Sequence, residues 1–131
     1  MNPLDGLLPE LRVLAERHLA ACSQRGVTVA ITSGWRSPAE QRRLYAKGRT
    51  TPGPIVTNAT PAKAPHCRGA AYDVVPVIRE KPTWDALDLF LIVGLEGEKL
   101  GLVWGGRWPK LKDMPHFELP DWRRLPLKES P

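Results

Sequence analysis

Residues 65–77 have the sequence PHCRGAAYDVVPV, in which a histidine and a glycine turn precede a predicted strand. Its second part, residues 70–77, is rich in β-branched side chains and predicts a strand. Because side chains alternate between the two faces of a strand, Asp73 shares its face with Gly69 and an alanine, which leave open space over the carboxylate. His66 lies before the glycine turn and can fold back over that face. A histidine and an aspartate that converge in this way can supply two ligands to zinc.

The same residue types recur in DMPHFE, residues 113–118. A short strand is predicted from His116 to Leu119, which places His116 and Glu118 on one face. Asp113 lies three residues before His116. Two histidines and one aspartate leave the fourth position of zinc to water, which is typical of a catalytic zinc site. Zinc lowers the pKa of such a water toward neutrality, and Asp113 is a carboxylate that could accept its proton.

Each motif also has a purely structural interpretation. A histidine in a short strand is more often hydrogen-bonded into the fold than bound to a metal, so either motif alone is weak evidence. Two of the chain's three histidines lie beside carboxylates in these motifs, however, and this coincidence favours a metal site. The third, His18, lies inside a predicted helix without an acidic cluster, and it is expected on the surface or in packing.

Around the two motifs, three helices are predicted. Apolar side chains at three- and four-residue steps indicate the first helix, residues 9–25. A capping box at Ser37 starts the second helix, which should end near Gly48. Thr83 is expected to cap the third helix, residues 84–100. Its inner side should carry Leu87, Phe90, Leu91 and Gly94.

Two further strands are predicted at residues 27–31 and 102–104. Residues 49–65 form a long irregular segment, which in a small domain is usually functional or disordered. Because helices and short strands alternate irregularly, the predicted fold class is α+β, with a small, mostly antiparallel sheet flanked by about three helices.

Length and charge limit the classes of function. The 131 residues fit one domain over residues 1–131, with residues 120–131 as a peripheral tail. The net charge of +5 suits an anionic partner such as nucleic acid, a bacterial wall or a membrane surface. The basic residues are scattered rather than striped, which argues against nucleic acid. Neither a membrane-spanning run nor a signal peptide is recognised, so we expect synthesis in the cytoplasm and no stable membrane insertion.

Three segments resemble one known family. Residues 56–73, VTNATPAKAPHCRGAAYD, are similar to the VTNA…SxHxxGxAxD signature of the zinc D-alanyl-D-alanine carboxypeptidase and L-alanyl-D-glutamate endopeptidase superfamily. Residues 33–50, SGWRSPAEQRRLYAKGRT, resemble its (Y/W)RSxxxQxxLYxxGR segment. Residues 100–119, LGLVWGGRWPKLKDMPHFEL, resemble its WGGxW…DxPHFE motif. The segments follow in the family's order, and the members most similar to them are phage endolysins and bacterial wall endopeptidases.

The resemblance implies a fold like that of the hedgehog and D-Ala-D-Ala peptidase domains, and it implies roles for seven residues. It assigns zinc ligation to His66, Asp73 and His116. It assigns the catalytic base to Asp113 and polarisation of the scissile carbonyl to Arg36. Glu118 would orient a ligand. Contact with substrate is expected for Gln41. Apart from the resemblance, the tryptophans leave two interpretations open: Trp35, Trp104 and Trp108 could line a substrate cleft or belong to the core, and Trp84 and Trp122 are expected to be core or tail anchors.

The implied protein is a zinc metallopeptidase with one catalytic Zn²⁺ that hydrolyses peptidoglycan stem peptides. The L-alanyl-D-glutamate bond is the expected target, in endolysin-type lysis of the cell wall. The expected protein is a monomer that acts after release from the cytoplasm, with the help of a holin if it comes from a phage.

Departures from the family pattern leave alternatives open. Ala64 replaces the family's serine and Lys63 its glutamine, so the bond that is cut is uncertain. A D-alanyl-D-alanine carboxypeptidase or dipeptidase is the nearest alternative. A non-catalytic, zinc-containing wall-binding domain is another, although Asp113 and Arg36 argue against it. A thiol nucleophile at Cys67 is the least favoured.

Overall fold

The computed structural model describes residues 2–131 and contains three α-helices and one small sheet. The helices are α1 (Pro9–Gln24), α2 (Pro38–Ala46) and α3 (Leu87–Lys99). The strands are β1 (Val29–Ser33), β2 (Ala71–Ile78), β3 (Lys81–Pro82), β4 (Val103–Trp104) and β5 (His116–Glu118). The predicted α+β class is therefore confirmed, with β3 as an additional strand.

The sheet is antiparallel throughout, with the strand order β1-β2-β5-β4, and β3 forms a hairpin with β2. The long strand β2 lies between β1 and β5. In its register Asp73 is directly opposite His116 on β5 and opposite Ser33 on β1. The pairing therefore brings the two sequence motifs together at one point of the sheet.

One face of the sheet is covered by α1 and α3. Tyr72 and Val74 on β2 and Phe117 on β5 are fully buried on this face. Because side chains alternate along a strand, Asp73 and His116 point to the opposite face, away from the helices. The apolar core thereby fixes which face of the sheet carries the polar residues.

The start and the inner side of α3 differ from the prediction. The helix begins at Leu87, and the Thr83 hydroxyl donates to the Lys81 carbonyl instead of capping it. Leu87 is 64% exposed, and Leu91 on the same outer side is 48% exposed. The prediction is correct for Phe90 and Gly94, which are buried, and the buried face also carries Val93, Glu96 and Gly97.

Glycines explain this rotation of α3. A Cβ atom at Gly94 would lie 2.4 Å from the Trp104 ring, and one at Gly97 would lie 2.5 Å from the Phe117 ring. The helix turns its two smallest residues toward the sheet, so the aromatic rings pack against its backbone. A pattern that counts only large apolar residues points to the wrong side of this helix.

The second helix and the irregular segment agree with the prediction. The Ser37 hydroxyl accepts a hydrogen bond from the Glu40 amide at 3.1 Å, with Pro38 at the first helical position. Between α2 and β2, residues 49–65 lack α-helix and contain a short 3₁₀ turn, Pro61–Lys63. Among residues 2–131, no helix has the length and apolar character needed to span a membrane.

Candidate active site

Three side chains converge on the face of the sheet opposite the helices. One ligand atom from each of His66, Asp73 and His116 lies within 4.8 Å of the other two. The Nε2 atom of His66 is 3.5 Å from Asp73 Oδ2, and the Nδ1 atom of His116 is 3.2 Å from Asp73 Oδ1. The structure thus brings together the three residues that the sequence indicates as ligands.

Backbone contacts fix the orientation of His66. Its Nδ1 atom lies 2.8 Å from the carbonyl oxygen of Gly34, which can only accept, so Nδ1 carries the proton. The Arg36 amide in turn donates to the His66 carbonyl at 3.0 Å. In the neutral imidazole Nε2 is therefore the nitrogen with a free lone pair, and it is the one that faces Asp73.

Glu118 fixes the second imidazole. Its Oε1 atom is 2.7 Å from His116 Nε2, and its Oε2 atom accepts a hydrogen bond from Trp122 Nε1 at 2.6 Å. With its Nε2–H directed at Glu118, His116 presents Nδ1 toward Asp73. The two histidines therefore offer different ring nitrogens to the same point in space.

The charges of these groups depend on one another. Burial alone would raise the pKa of Asp73, but hydrogen bonds with His116 and His66 lower it well below its ordinary value. Burial acts to lower the pKa of His116, yet hydrogen bonds with Asp73 and Glu118 outweigh it and raise the pKa to about 9. A divalent cation must displace the His116 proton, so its affinity is expected to rise with pH.

The donor set fits zinc. Two imidazole nitrogens and a carboxylate oxygen are typical zinc ligands, and bonds of the usual length separate neighbouring ligand atoms by about 3.4 Å in a tetrahedron. The 3.5 Å between His66 Nε2 and Asp73 Oδ2 matches that separation. Within residues 2–131, the only group of three or more potential ligand residues is this one. Three protein ligands leave the fourth position open.

Arg36 lies in the same cleft and is held by two polar side chains. Its Nη1 atom donates to Gln41 Oε1 at 2.8 Å, and its Nη2 atom donates to Ser33 Oγ at 3.1 Å. Gln41 is 1% exposed, and its Nε2 atom donates to the Ala59 carbonyl at 2.7 Å. The polar atoms of Gln41 thus contact protein groups, and one of these groups is Arg36.

Asp113 is half-buried and lines the cleft together with the three candidate ligands. Burial raises the pKa of Asp113, and the negative charge of Asp73 adds to this effect. The positive charges of His116, His66 and Arg36 oppose it without reversing it. A carboxyl group with a raised pKa is suited to accept and return a proton near neutral pH.

The cleft has a volume of about 850 Å³ and opens over the histidines. The ring centre of Trp108 lies 5.2 Å from that of His116, so this tryptophan forms part of the wall, as predicted. Trp104 is buried in the core, and the indole of Trp35 donates to the Lys128 carbonyl instead. Trp84, which we expected to be an anchor, is 55% exposed.

Two other sequence expectations concern buried residues. Cys67 is fully buried, and burial raises the pKa of its thiol, which disfavours a thiolate nucleophile. His18 lies in the core, where its ring contacts the Tyr72 hydroxyl at 2.7 Å and the Val93 carbonyl at 2.8 Å. It is therefore a packing residue rather than a surface one.

Two contacts of the site could not be predicted from the sequence. The Gly34 carbonyl acts through the backbone, which no side-chain pattern reveals. Trp122 reaches Glu118 from the C-terminal segment, and nothing in the spacing of the two residues indicates the contact.

Comparisons with known proteins point to one family. Residues 57–119 match the family model described as D-alanyl-D-alanine carboxypeptidase. The chain is 35% identical over 123 residues to the peptidoglycan L-alanyl-D-glutamate endopeptidase CwlK of Bacillus subtilis (strain 168), covering 86% of this chain and 73% of that protein.

Two solved structures share the fold of this chain. The L-Ala D-Glu endopeptidase ChiX of Serratia marcescens has a TM-score of 0.63 and 27% identity, over 89% of this chain and 83% of that one. A mutant of the vancomycin-resistance D,D-pentapeptidase VanY, from a VanB-type cassette and in complex with Zn(II), has a TM-score of 0.66. Its identity is 12%, over 86% of this chain and 72% of that one, so it supports the fold alone.

The fold and the His-Asp-His cluster define a zinc peptidase of α+β architecture. The chain belongs to the D-alanyl-D-alanine carboxypeptidase and L-alanyl-D-glutamate endopeptidase superfamily, as its similarity to CwlK shows.

Proposed function

We propose that this protein is a zinc-dependent peptidoglycan hydrolase that cleaves the L-alanyl-D-glutamate bond of stem peptides. The observation that carries the proposal is the cluster of His66, Asp73 and His116 in an open cleft that Arg36 and Asp113 also line. A purely structural zinc site needs neither of the last two residues, so their presence favours catalysis.

In this proposal His66 Nε2, Asp73 and His116 Nδ1 hold the zinc ion, and Gly34 and Glu118 keep both imidazoles in the required tautomers. When bound, zinc polarises a carbonyl oxygen and lowers the pKa of water at its open position.

The other two residues handle the proton and the developing charge. The Asp113 carboxylate accepts a proton from the attacking water and passes it to the leaving amine. Arg36 uses two of its nitrogens to bind Gln41 and Ser33, and its remaining N–H groups stabilise negative charge on the scissile carbonyl oxygen. Because both contacts are already made before substrate binds, Arg36 is preorganised for this task.

The similarity to CwlK and ChiX supports the L-alanyl-D-glutamate bond as the target. The description of the matching family model instead favours release of terminal D-alanine, which makes a D-alanyl-D-alanine carboxypeptidase the second candidate. Ala64 and Lys63, which replace the family's serine and glutamine, line the cleft, where they can influence which of the two bonds is cut.

Digestion of purified sacculi by the zinc-loaded protein tests both candidates. We expect mass spectrometry to show stem peptides with new D-glutamyl amino termini, whereas release of terminal D-alanine would support the second candidate. The isosteric variant Asp113→Asn should bind zinc normally but lose activity by at least about 100-fold. If the wild-type protein generates neither product, the hydrolase proposal is wrong.

The narrower features of the proposal need separate tests. We propose that residues 1–131 act as one catalytic domain and as a monomer, which light scattering can check. An endolysin-type role predicts lysis of whole cells whose walls are made accessible from outside. Release through a holin is relevant only if the protein derives from a phage.

A further inference from the structure

Two cationic side chains line both the cleft and a hollow that adjoins it. Lys63 and Arg123 both line the main cleft, and both also line an adjoining hollow of about 410 Å³. Among residues 2–131, neither side chain forms a salt bridge with an acidic group. Their charges are therefore available to a ligand that enters the cleft.

Arg68 holds the segments that carry these two cations. It is 8% exposed, and its guanidinium group donates to three carbonyl groups of residues 61–64 at 2.9 to 3.2 Å. It also donates to the Leu125 carbonyl at 3.0 Å. Because Lys63 belongs to the first segment and Arg123 lies two residues before Leu125, a single buried residue ties their backbones together.

Trp122 links the cations to the candidate metal ligands. The guanidinium carbon of Arg123 lies 4.4 Å from the centre of the Trp122 ring, which is a favourable cation–π distance. The same indole donates to Glu118, and Glu118 contacts His116. Arg123 thus stacks on Trp122, and a chain of two hydrogen bonds connects Trp122 through Glu118 to His116. The cationic wall, formed by Lys63 and Arg123, therefore adjoins the candidate metal site.

We propose that Lys63 and Arg123 form a subsite that binds a carboxylate group of the stem peptide. This inference rests on the proposed function and deepens it. Two cations that line the same cleft can bind a carboxylate through charge-assisted hydrogen bonds. Two sources of that carboxylate lie near the bond: the α-carboxylate of D-glutamate, which is free because the peptide continues through the γ-carboxyl group, and the second carboxylate of diaminopimelate.

Four synthetic stem peptides distinguish these sources. They combine D-glutamate or D-isoglutamine at the second position with diaminopimelate or lysine at the third. Binding is measured by calorimetry on the zinc-loaded Asp113→Asn protein, which leaves the peptides intact, and kcat/KM is measured on the zinc-loaded protein without that substitution. We expect one of the two carboxylate-to-neutral replacements to weaken binding by about tenfold.

Charge-removing variants then test whether Lys63 and Arg123 cause this preference for a carboxylate. Lys63→Gln and Arg123→Gln should each reduce this preference, while Lys63→Arg and Arg123→Lys should retain most of it. Lys81→Gln and Arg17→Gln make the same charge changes at exposed positions outside the cleft, and they should leave the preference unchanged.

Each outcome decides the proposal. Equal binding of all four peptides, or a preference that persists when Lys63 and Arg123 are both neutralised, overturns it. A preference at the second position assigns the subsite to D-glutamate, and one at the third position assigns it to diaminopimelate. If no peptide is cleaved but the charge preference in binding is present and sensitive to the variants, the subsite stands and the proposed hydrolase function fails.

Discussion

Glu118 divides its two oxygens between His116 and Trp122, and this division determines which nitrogen His116 can offer to a metal. The carboxylate accepts from both partners at once, at 2.7 Å and 2.6 Å. A neutral amide at this position has a single acceptor oxygen. It would satisfy one partner and present N–H groups to the other.

The variant Glu118→Gln should therefore weaken zinc binding by about 10- to 100-fold, because the orientation and basicity of His116 are lost. Competition with a chelating dye measures this affinity. Trp122→Phe is the matched control, since it removes only the indole donor and leaves the carboxylate on His116. An unchanged affinity in Glu118→Gln would show that Glu118 does not orient the ligand.

Gln41 is predicted to act through Arg36. Gln41→Leu keeps the volume of the buried side chain but removes the acceptor that holds Arg36 Nη1. We expect kcat on muropeptides to fall by about tenfold with little change in KM, because the lost interaction acts mainly in the transition state. Ser33→Ala, which removes the weaker contact, should have a smaller effect. If Gln41→Leu instead raised KM by about tenfold and left kcat unchanged, Gln41 would contact the substrate directly.

At the level of single residues, the sequence predicted the metal cluster because histidine and aspartate beside small residues in two motifs are a recognisable pattern. The structure brings His66, Asp73 and His116 together, and their role as ligands stays a prediction. The choice of ring nitrogens could not be predicted, because it depends on the Gly34 carbonyl and on contacts between distant segments.

Helix α3 shows how closely the elements pack. Gly94 lets the helix backbone approach the Trp104 ring, so an added methyl group has no room. Alanine normally favours a helix over glycine by up to about 1 kcal/mol, but overpacking costs about 1–3 kcal/mol, so the steric effect should dominate.

We therefore expect Gly94→Ala to lower the free energy of unfolding by about 1–2 kcal/mol, measured by urea denaturation. Leu91→Ala on the exposed side of α3 is the control, and it should change stability by less than about 0.5 kcal/mol. A stabilised Gly94→Ala variant would contradict the close packing of α3 on the sheet.

The contact of α1 with β2 and α3 depends on a neutral histidine. His18 Nε2–H donates to the Val93 carbonyl, and Nδ1 accepts from the Tyr72 hydroxyl. Burial lowers the pKa of His18 below 6.5, although the Val93 carbonyl and the charge of Glu96 oppose this. His18 therefore binds a proton less readily in the folded state than in the unfolded chain.

The contribution of neutral His18 should be complete above about pH 6.5 and decrease as the pH falls below it, by up to about 1.4 kcal/mol per pH unit. Because other groups also make stability depend on pH, the test compares chemical denaturation of the wild type with that of His18→Leu at each pH. His18→Leu should be less stable at pH 7.5 but show a shallower loss between pH 6.5 and 5. Identical slopes would mean that His18 is not buried in its neutral form.

Across the whole molecule, the fold class and the order of the major elements could be predicted, because helix periodicity and strand alternation are local properties. The outward position of Leu87 and Leu91 on α3 and the hairpin of β3 could not, since glycine packing and a two-residue strand leave no periodic apolar signal. The cationic wall formed by Lys63 and Arg123 also depends on the whole chain, because these residues are 60 positions apart in a sequence of 131.

We expect the sheet and its loops to hold one zinc ion through His66, Asp73 and His116. Zinc analysis after extensive dialysis tests it most directly, with the wild type compared to Asp73→Asn and His116→Gln at pH 7.5. We predict one zinc per wild-type chain and loss of most of the metal from both variants, with circular dichroism showing that the variants remain folded. A wild-type chain that retains no zinc, or folded variants that retain a full equivalent, would contradict the account.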